Sequence, residues 1–411
     1  MIRLKLKPGR EVSLARRHPW LFSGAVASQE GDGADGHAEI VDSDGEPRAR
    51  GSYSPRSQIL ARLWTFDGRA PDTALFRERF EAARRLRAAI LPPETSGFRA
   101  INSEGDLCPG VLMDVYGETA VLELLTEGTE KWEADLTAAA RDVFSPPEIR
   151  VRRTGTRRDA GEGQPRRQAP PQEQLPLPSA EGRGEGAPIR ETRGSLIPFT
   201  ENGLRFFADV SSGQKTGFFL DQRDNRARLR PLAQGRTVLN LFAYSGAFSV
   251  AALAGGAARA VDVDSSEPAL TIAREHRRAN GFPLEDADFV RADVFEDVRR
   301  RVQAREQWDI VVCDPPAFAK KRGDVDRAAR AYKDVNRLAM SLVAPGGWLL
   351  TCSCSGLVSA DLFQKIVFSA GREADRSFAI AARQGAAADH PVSLDCPEGE
   401  YLKGLWLWRT A

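Results

Sequence analysis

Two apolar segments of the chain end in residues whose types suit chemistry on a heterocyclic base. VVCDPPAFAK contains Asp314-Pro315-Pro316, and WLLTCSCSG ends around Cys352 and Cys354. A carboxylate beside two rigid prolines, with an aromatic residue close behind, suits a pocket that receives a flat ring turned out of its stack. A thiolate is a nucleophile that forms covalent intermediates. An acid and a thiol at two strand ends therefore predict group transfer onto a nucleic-acid base.

The thiol narrows this chemistry, because C5 of cytosine is a poor nucleophile. A thiolate that adds to C6 makes C5 enamine-like, so that C5 attacks a sulfonium methyl group, after which a base removes the C5 proton. Asp314 is suited to act near N3 of the ring. Side chains two apart on a strand share a face, so spacing alone does not choose between Cys352 and Cys354. The alternative is that both are small buried packing residues.

A strand–turn–helix upstream suits a cofactor without phosphate. Residues 240–249 (NLFAYSGAFS) begin as a strand, and Gly246 lets the backbone approach a ligand closely. The turn is not GxGxxG, which disfavours a dinucleotide and favours S-adenosylmethionine (SAM). The next strand ends at Asp264, preferred to Asp262 as the ribose ligand, and the third ends at Asp293, placed for the adenine amino group. Each acid fits equally as a cap of the following helix.

These residues need a sheet that brings strand ends to one edge. From about residue 203 the pattern shows five strand-to-loop junctions separated by helical segments. This predicts a parallel, doubly wound α/β sheet, whose ligands bind at the carboxyl ends of its strands. The alternating segment YLKGLWLWR predicts an antiparallel edge strand near the C-terminus.

Two smaller units are predicted to precede this sheet. Residues 1–71 read as a small β-barrel, 72–202 as an α+β unit and 203–411 as the sheet domain. Residues 157–190 are rich in Gly, Pro, Arg, Glu and Gln, which predicts a disordered insertion. In the first unit, Arg16 and Arg17 beside Trp20 suit a phosphate backbone and a stacked base, although Trp20 fits a core position equally well.

Composition excludes several classes of protein. A net charge of +1 gives no global basic signal for nucleic acid, so an RNA surface must come from local patches. The five cysteines lack disulfide or zinc spacing, which predicts a reducing, cytoplasmic protein without metal. No signal peptide is evident. Residues 238–257 carry no charge, but polar residues interrupt them, so we expect a buried strand, turn and helix rather than a membrane span.

The order of the motifs resembles that of one family. The chain is similar to the bacterial class I SAM-dependent 23S ribosomal RNA methyltransferases of the RlmI type, which make 5-methylcytosine. GREVSLARRHPWLFSGAV and ARGSYSPRSQILARLWTF resemble the N-terminal PUA domain, and SEGDLCPGVLMDVYG resembles the central domain. The family's order continues with KTGFFLDQRDNR, VLNLFAYSGAFSV, VDVDSS, RADVF, CDPPAFAK, YKDVN, CSGL, ADHPV and YLKG.

The resemblance implies roles for the matching positions. It makes Cys354, in SCSG, the nucleophile and Asp314 the acid. It implies contacts to SAM from Phe219, Asp221, Gln222, Arg223, Asn240, Phe242, Tyr244, Gly246, Asp264, Asp293 and Asp314. It implies contacts to RNA or to the target base from Lys215, Pro315, Pro316, Phe318, Arg16, Arg17 and Trp20. Thr216 is implied beside the same pocket, and no metal ligand is implied.

One position departs from the usual pattern of RNA cytosine-C5 enzymes, which carry a second Cys before the acid-side proline. Here Pro315 follows Asp314 directly, and the nearby thiol, Cys313, precedes the acid. Removal of the C5 proton then falls to Asp314 or another base. Two other functions stay open: an exocyclic-amine or guanine RNA methyltransferase that needs no thiol, and an RNA-binding ribosome-assembly factor. The implied partner is 23S ribosomal RNA, and a homodimer is possible.

Overall fold

The computed structural model describes residues 1–155, 196–210, 216–319 and 321–410. Lys215 and the predicted insertion at 157–190 lie outside the described residues. The described strands form sheets of six, four and seven strands and one two-stranded hairpin.

The six-stranded sheet lies at the N-terminus and has the strand order β2-β6-β5-β4-β1-β3. Ile2, Leu4 and Leu6 of β1 are buried, while Arg3 and Lys5 are exposed, as alternation in a half-buried strand requires. Its elements are β1 (Ile2–Leu6), α1 (Val12–Ala15), β2 (Trp20–Phe22), β3 (Val26–Glu30), β4 (His37–Val41), β5 (Pro47–Tyr53) and β6 (Ile59–Thr65).

The four-stranded sheet follows, with the order β10-β9-β8-β7, and two helices pack together beside it. Its elements are α2 (Thr73–Ile90), β7 (Gly97–Asn102), β8 (Val111–Tyr116), β9 (Thr119–Leu124), α3 (Glu127–Glu130), α4 (Glu133–Phe144) and β10 (Glu148–Arg153). The hairpin of β11 (Leu196–Glu201) and β12 (Leu204–Asp209) comes next. The predicted boundary at 202 falls in the turn of this hairpin, so the three-way division of the chain stays a prediction.

The seven-stranded sheet has the order β15-β14-β13-β16-β17-β19-β18. The first five of these strands run parallel, and the order reverses beside β13, which creates the switch point where such sheets bind ligands. Its elements are α5 (Arg223–Leu232), β13 (Thr237–Leu241), α6 (Ala247–Ala254), β14 (Arg259–Asp264), α7 (Glu267–Ala279), β15 (Phe289–Arg291), α8 (Val294–Gln303), β16 (Trp308–Cys313), α9 (Val325–Leu342), β17 (Val343–Ser353), α10 (Ala360–Glu373), β18 (Phe378–Gln384) and β19 (Lys403–Arg409).

The predicted α/β sheet is confirmed, and one detail of it is corrected. The C-terminal strand β19 is antiparallel, as expected, but it lies between β17 and β18 rather than at the edge. Alternation identifies a strand but does not say which neighbours flank it. The uncharged segment 238–257 folds as β13, a turn and α6. No helix in the described residues has the length and apolar character needed to cross a bilayer.

A buried ion-pair network joins the second sheet to the third. The carboxylate of Asp389 accepts hydrogen bonds from the guanidinium of Arg223 at 2.8 and 3.0 Å and from the backbone N–H of Arg99 at 2.9 Å. Burial favours the neutral carboxyl, but His390 and Arg223 outweigh it and hold the pKa of Asp389 well below its usual range. This carboxylate therefore ties β7 to the start of α5.

Candidate active site

The two strand ends that carry the acid and the thiol are neighbours. Strands β16 and β17 pair in parallel, with Cys313 opposite Thr351, so both end at the same edge of the sheet. Asp314 and Cys354 directly follow these ends. The thiol of Cys354 lies 3.8 Å from the carbonyl oxygen of Pro315, which brings it against the Asp-Pro-Pro loop. The structure thus brings acid and thiol together at one edge of the sheet, the candidate pocket.

The two candidate thiols have different surroundings. Cys352 is fully buried in the core, and burial raises its pKa well above the ordinary value. Cys354 is half-buried, because β17 ends at Ser353 and the chain turns after it. The alternation that left the two cysteines equivalent in sequence therefore does not extend to residue 354. Exposure therefore favours Cys354 over Cys352 as the nucleophile, and the assignment stays a prediction.

A chain of side-chain amides holds the acid. Gln222 donates from Nε2 to Oδ2 of Asp314 at 2.8 Å and accepts from Nδ2 of Asn225 at 2.7 Å. Asn225 in turn accepts from Nε1 of Trp406 at 2.9 Å. An indole nitrogen only donates, so it fixes the orientation of Asn225 and, through it, that of Gln222. The chain therefore supplies Asp314 with a donor of defined direction.

We expect Gln222→Met to lower turnover by about tenfold to a hundredfold, the usual cost of losing an oriented supporting hydrogen bond. Steady-state methylation with varied SAM separates two roles of Gln222. If Gln222 supports Asp314, turnover falls while the KM for SAM stays unchanged. A rise in the KM for SAM with unchanged turnover would contradict this role. Trp406→Phe keeps an aromatic ring but removes the indole N–H that donates to Asn225. We expect it to lower turnover as well, but by less than Gln222→Met.

The predicted cofactor turn joins β13 to α6 in a strained conformation. Phe242 and Tyr244 have φ of 57° and 48°, and Gly246 has φ of 68°. Left-handed backbone at non-glycine residues is costly and concentrates at ligand sites. A Cβ at Gly246 would lie 2.8 Å from the Cβ of Ala273, so only glycine fits. Oδ2 of Asp264 accepts from the backbone N–H of Tyr244 at 2.8 Å, which holds the turn against the next strand end.

A second network lies beneath this turn. Asn240 is 1% exposed, and its amide donates to Oδ1 of Asp262 at 2.8 Å. The hydroxyl of Ser249 donates to the same oxygen at 2.6 Å, and Arg277 donates to Oδ2 at 2.8 Å. Both carboxylate oxygens of Asp262 are thus engaged inside the protein, whereas Asp264, the last residue of β14, is half-buried. The contacts of Asn240 support the turn from below, and its contact with SAM stays a prediction.

Asp293 and an aromatic row line the next part of the edge. Asp293 caps α8 by accepting from the backbone N–H of Glu296 at 3.0 Å, and its carboxylate remains exposed. Phe295, two residues further on, lies 6.1 Å from Phe242 and 6.2 Å from Phe318, measured between ring centroids. The row therefore runs from the cofactor turn to the Asp-Pro-Pro loop, with Pro315 buried and Pro316 exposed.

The segment before α5 packs behind the pocket. Phe219 lies edge-on to Tyr244, with 5.1 Å between ring centroids. Asp221 is buried, and its Oδ2 accepts from the hydroxyl of Tyr401 at 2.6 Å. Arg223 is 1% exposed and is bound to Asp389, so its guanidinium belongs to the ion-pair network that ties β7 to α5. Thr216 is likewise buried, against Asp114 and Tyr116 of β8.

The basic residues of the N-terminal unit lie elsewhere. Arg16 and Arg17 are exposed after α1, and Arg17 lines a cavity of about 250 Å³ between the first two sheets. Trp20 is half-buried, and its indole N–H donates to Glu104 at 2.8 Å. Potential metal ligands also meet near Trp20, where ligand atoms of His18, Cys396 and Glu398 lie within 4.8 Å of one another. Trp20 belongs to the six-stranded sheet, whereas Asp314 and Cys354 follow strands of the seven-stranded sheet.

Sequence reasoning gave no role to several residues that shape the pocket. Asn225 and Trp406 belong to the amide chain, and Phe295 belongs to the aromatic row. Asn225 and Phe295 stand inside two of the motifs that carried the resemblance, RDNR and RADVF. Their contacts come from segments far apart in the chain, so spacing alone carried no signal for them.

Two family descriptions match the chain. The S-adenosylmethionine-dependent methyltransferase family matches residues 190–395, and a PUA-like domain matches residues 4–66. A chain assigned as a methyltransferase and solved in complex with SAH covers 99% of this chain and 100% of its own, with a TM-score of 0.79 at 22% identity. At this identity the likeness shows the fold alone.

Curated relatives match over the full length. The ribosomal RNA large subunit methyltransferase I of Klebsiella pneumoniae subsp. pneumoniae is 42% identical over 407 residues, which span 98% of this chain and 97% of that protein. The protein of the same name from Escherichia coli is 41% identical over 408 residues and 98% of each chain. The chain is therefore a SAM-dependent methyltransferase, and it belongs to the ribosomal RNA large subunit methyltransferase I family.

Proposed function

We propose that this enzyme methylates C5 of a cytosine in 23S ribosomal RNA, with Cys354 as a covalent nucleophile and Asp314 as the acid. The observation that carries the proposal is the position of the two residues at adjacent strand ends, with the Cys354 thiol 3.8 Å from the Pro315 carbonyl. The names of the relatives, which act on large-subunit ribosomal RNA, support the substrate class.

The cofactor fits the turn between β13 and α6. Gly246 takes a left-handed conformation that packs the turn closely against Ala273, and the strained backbone at Phe242 and Tyr244 turns the chain at the end of β13. When bound, SAM supplies an electrophilic methyl group. In this proposal Asp264 at the end of β14 meets the ribose and Asp293 at the end of β15 meets the adenine, because successive strand ends lie side by side.

The residues of the chain then act in a fixed order. Sγ of Cys354 forms a bond to C6 of the cytosine, and Asp314 in its protonated form donates to N3, where negative charge develops. The electron pair released to C5 would form the new carbon–carbon bond as the bond between the methyl group and the sulfonium breaks, with S-adenosylhomocysteine as the leaving group. A base takes the C5 proton, the C5–C6 double bond re-forms, and the thiolate leaves. Phe318 and the two prolines shape a wall for the flipped base.

The product identifies the reaction. Ribosomal RNA from a strain that lacks the enzyme, incubated with the purified protein and SAM and digested to nucleosides, should yield 5-methylcytidine by mass spectrometry. Methylated guanosine as the sole product would contradict the proposal. An exocyclic methylcytidine would contradict it as well, since that chemistry needs no thiol.

We also propose a division of labour among units at 1–71, 72–202 and 203–411. The last carries the methyl transfer, and the PUA-like first unit holds RNA through Arg16, Arg17 and the partly buried Trp20. Since the five cysteines are free thiols and the substrate is ribosomal RNA, we place the enzyme in the bacterial cytoplasm.

A further inference from the structure

Lys403 is a buried lysine beside the pocket that the reaction above does not use. It begins β19, opposite Ser353 of β17, and is 8% exposed. Its ammonium donates to the carbonyl oxygens of Ser355 at 2.6 Å and of Tyr401 at 2.7 Å. An ammonium has three donors, so these two bonds leave one N–H for another partner.

The side chain passes Cys354. It starts across from Ser353 and reaches the carbonyl of Ser355, so it spans the residue between them. The charges of Lys403 and Cys354 interact: burial lowers the pKa of the lysine, and the negative charge of a Cys354 thiolate raises it. Lys403 is therefore a cation held next to the proposed nucleophile.

The lysine has no carboxylate partner in the described part of the chain. Its side-chain hydrogen bonds go to two backbone carbonyls, no described carboxylate forms an ion pair with it, and Glu400 acts on it only through its charge. A buried cation without an anion is costly, because burial disfavours the charged form. A thiolate in the same low-dielectric region offsets this cost and is itself stabilised.

Three other titratable groups among the described residues lie near the thiol, and none of the three supplies a positive charge. Tyr332 on α9 and Cys352 on β17 both have pKa values raised by burial, so each is neutral near pH 7. Asp314, at the end of β16, is an acid. Among these groups, Lys403 is the one whose charge favours the reactive form of Cys354.

We propose that Lys403 is a positioning residue that stabilises the thiolate of Cys354 and holds the loop after β17. The inference rests on the proposed function in one respect, namely that this thiolate is the nucleophile. Its effect on the thiol, however, is present without RNA and without SAM, and so it can be measured separately.

The test is the pH dependence of alkylation at Cys354 by iodoacetamide, with the modified peptide identified by mass spectrometry. An opposite charge nearby shifts a pKa by about 1–3 units, so Lys403→Met should raise the midpoint of the rate profile by about one pH unit or more. Lys403→Arg keeps the cation, so its midpoint should lie close to that of the wild type. Lys365→Met removes an exposed lysine paired with Asp361 and should leave the midpoint unchanged.

Methylation gives a second readout. Lys403→Met should reduce turnover by about tenfold near neutral pH and recover as the pH rises toward the new midpoint, since one pH unit is a tenfold change in thiolate fraction. A merely structural role would lower turnover equally at every pH, and that result would overturn the inference. So would an unchanged alkylation midpoint. If Lys403→Met does not fold, Lys403→Gln takes its place, since it keeps N–H donors without the charge. An unchanged alkylation midpoint in that variant would likewise overturn the inference.

The two proposals fail in different ways. An active Cys354→Ala enzyme would contradict the covalent mechanism. It would leave untouched the effect of Lys403 on the alkylation of Cys354, which is measured in enzyme that keeps this thiol. A flat response to Lys403 substitution would remove the inference and leave the mechanism intact.

Discussion

Cys354→Ala is expected to lower methyl transfer by at least about 10³-fold, as removal of a catalytic nucleophile does in other enzymes. SAM should still bind, because Gly246 and Asp264, which are proposed to hold it, lie at other strand ends. The measurement combines single-turnover methylation with calorimetric titration of SAM. Without Sγ, C5 of the cytosine has no route to its enamine-like form, and so the loss should appear in turnover.

Cys352→Ala is the matched control, since it removes a thiol from the same segment. Cys352 is packed in the core, so its loss should cost some stability and leave turnover close to that of the wild type. Full activity of Cys354→Ala would contradict the covalent mechanism. Loss of turnover in Cys352→Ala, with Cys354→Ala active, would move the nucleophile to the other thiol.

Asp389→Ala is expected to reduce the free energy of unfolding by about 3–5 kcal/mol, because it leaves the buried charge of Arg223 unpaired. The carboxylate is fully buried and accepts from Arg223 and from the backbone of Arg99. Equilibrium denaturation by urea measures the loss. Asp361→Asn is the control: it breaks an exposed ion pair with Lys365 and should cost less than about 1 kcal/mol.

The pH dependence of Asp389 gives the sign of the effect. Its folded pKa is depressed, so its contribution is complete above the unfolded pKa of about 3.9 and is lost as the pH falls toward the lower folded value. The difference between wild type and Asp389→Ala should therefore shrink in acid. A difference that grows below pH 4, or a cost no larger than that of Asp361→Asn, would contradict this role.

The sequence predicts the α/β sheet and the strand ends because both follow from local patterns. Apolar runs with polar ends identify β16 and β17, and Asp314 follows directly from the first of them. The position of β19 within the sheet could not be predicted from local patterns, because strand order depends on pairing between distant segments. The separation of Cys354 from Cys352 also required the structure, since it depends on the residue at which β17 ends.

The amide chain shows the same limit. Trp406, Asn225 and Gln222 lie on β19, on α5 and just before α5, and only folding brings them in line with Asp314. A residue whose partner is distant in the chain carries no periodic signal. The resemblance implied a role for Gln222 because the residue lies in the family's motif, but it did not show which contacts give the residue that role.

The position of β19 has a consequence for biosynthesis. β18 pairs only with β19 within the described sheet, and β19 brings both Lys403 and Trp406 to the pocket. While the ribosome is still making residues 385–402, β18 has no strand to join, and the pocket lacks both side chains. A nascent chain therefore stays inactive until β19 has paired with β17 and β18. Acquisition of activity is thereby coupled to the synthesis of β19, and a truncation that removes β19 should yield an inert protein.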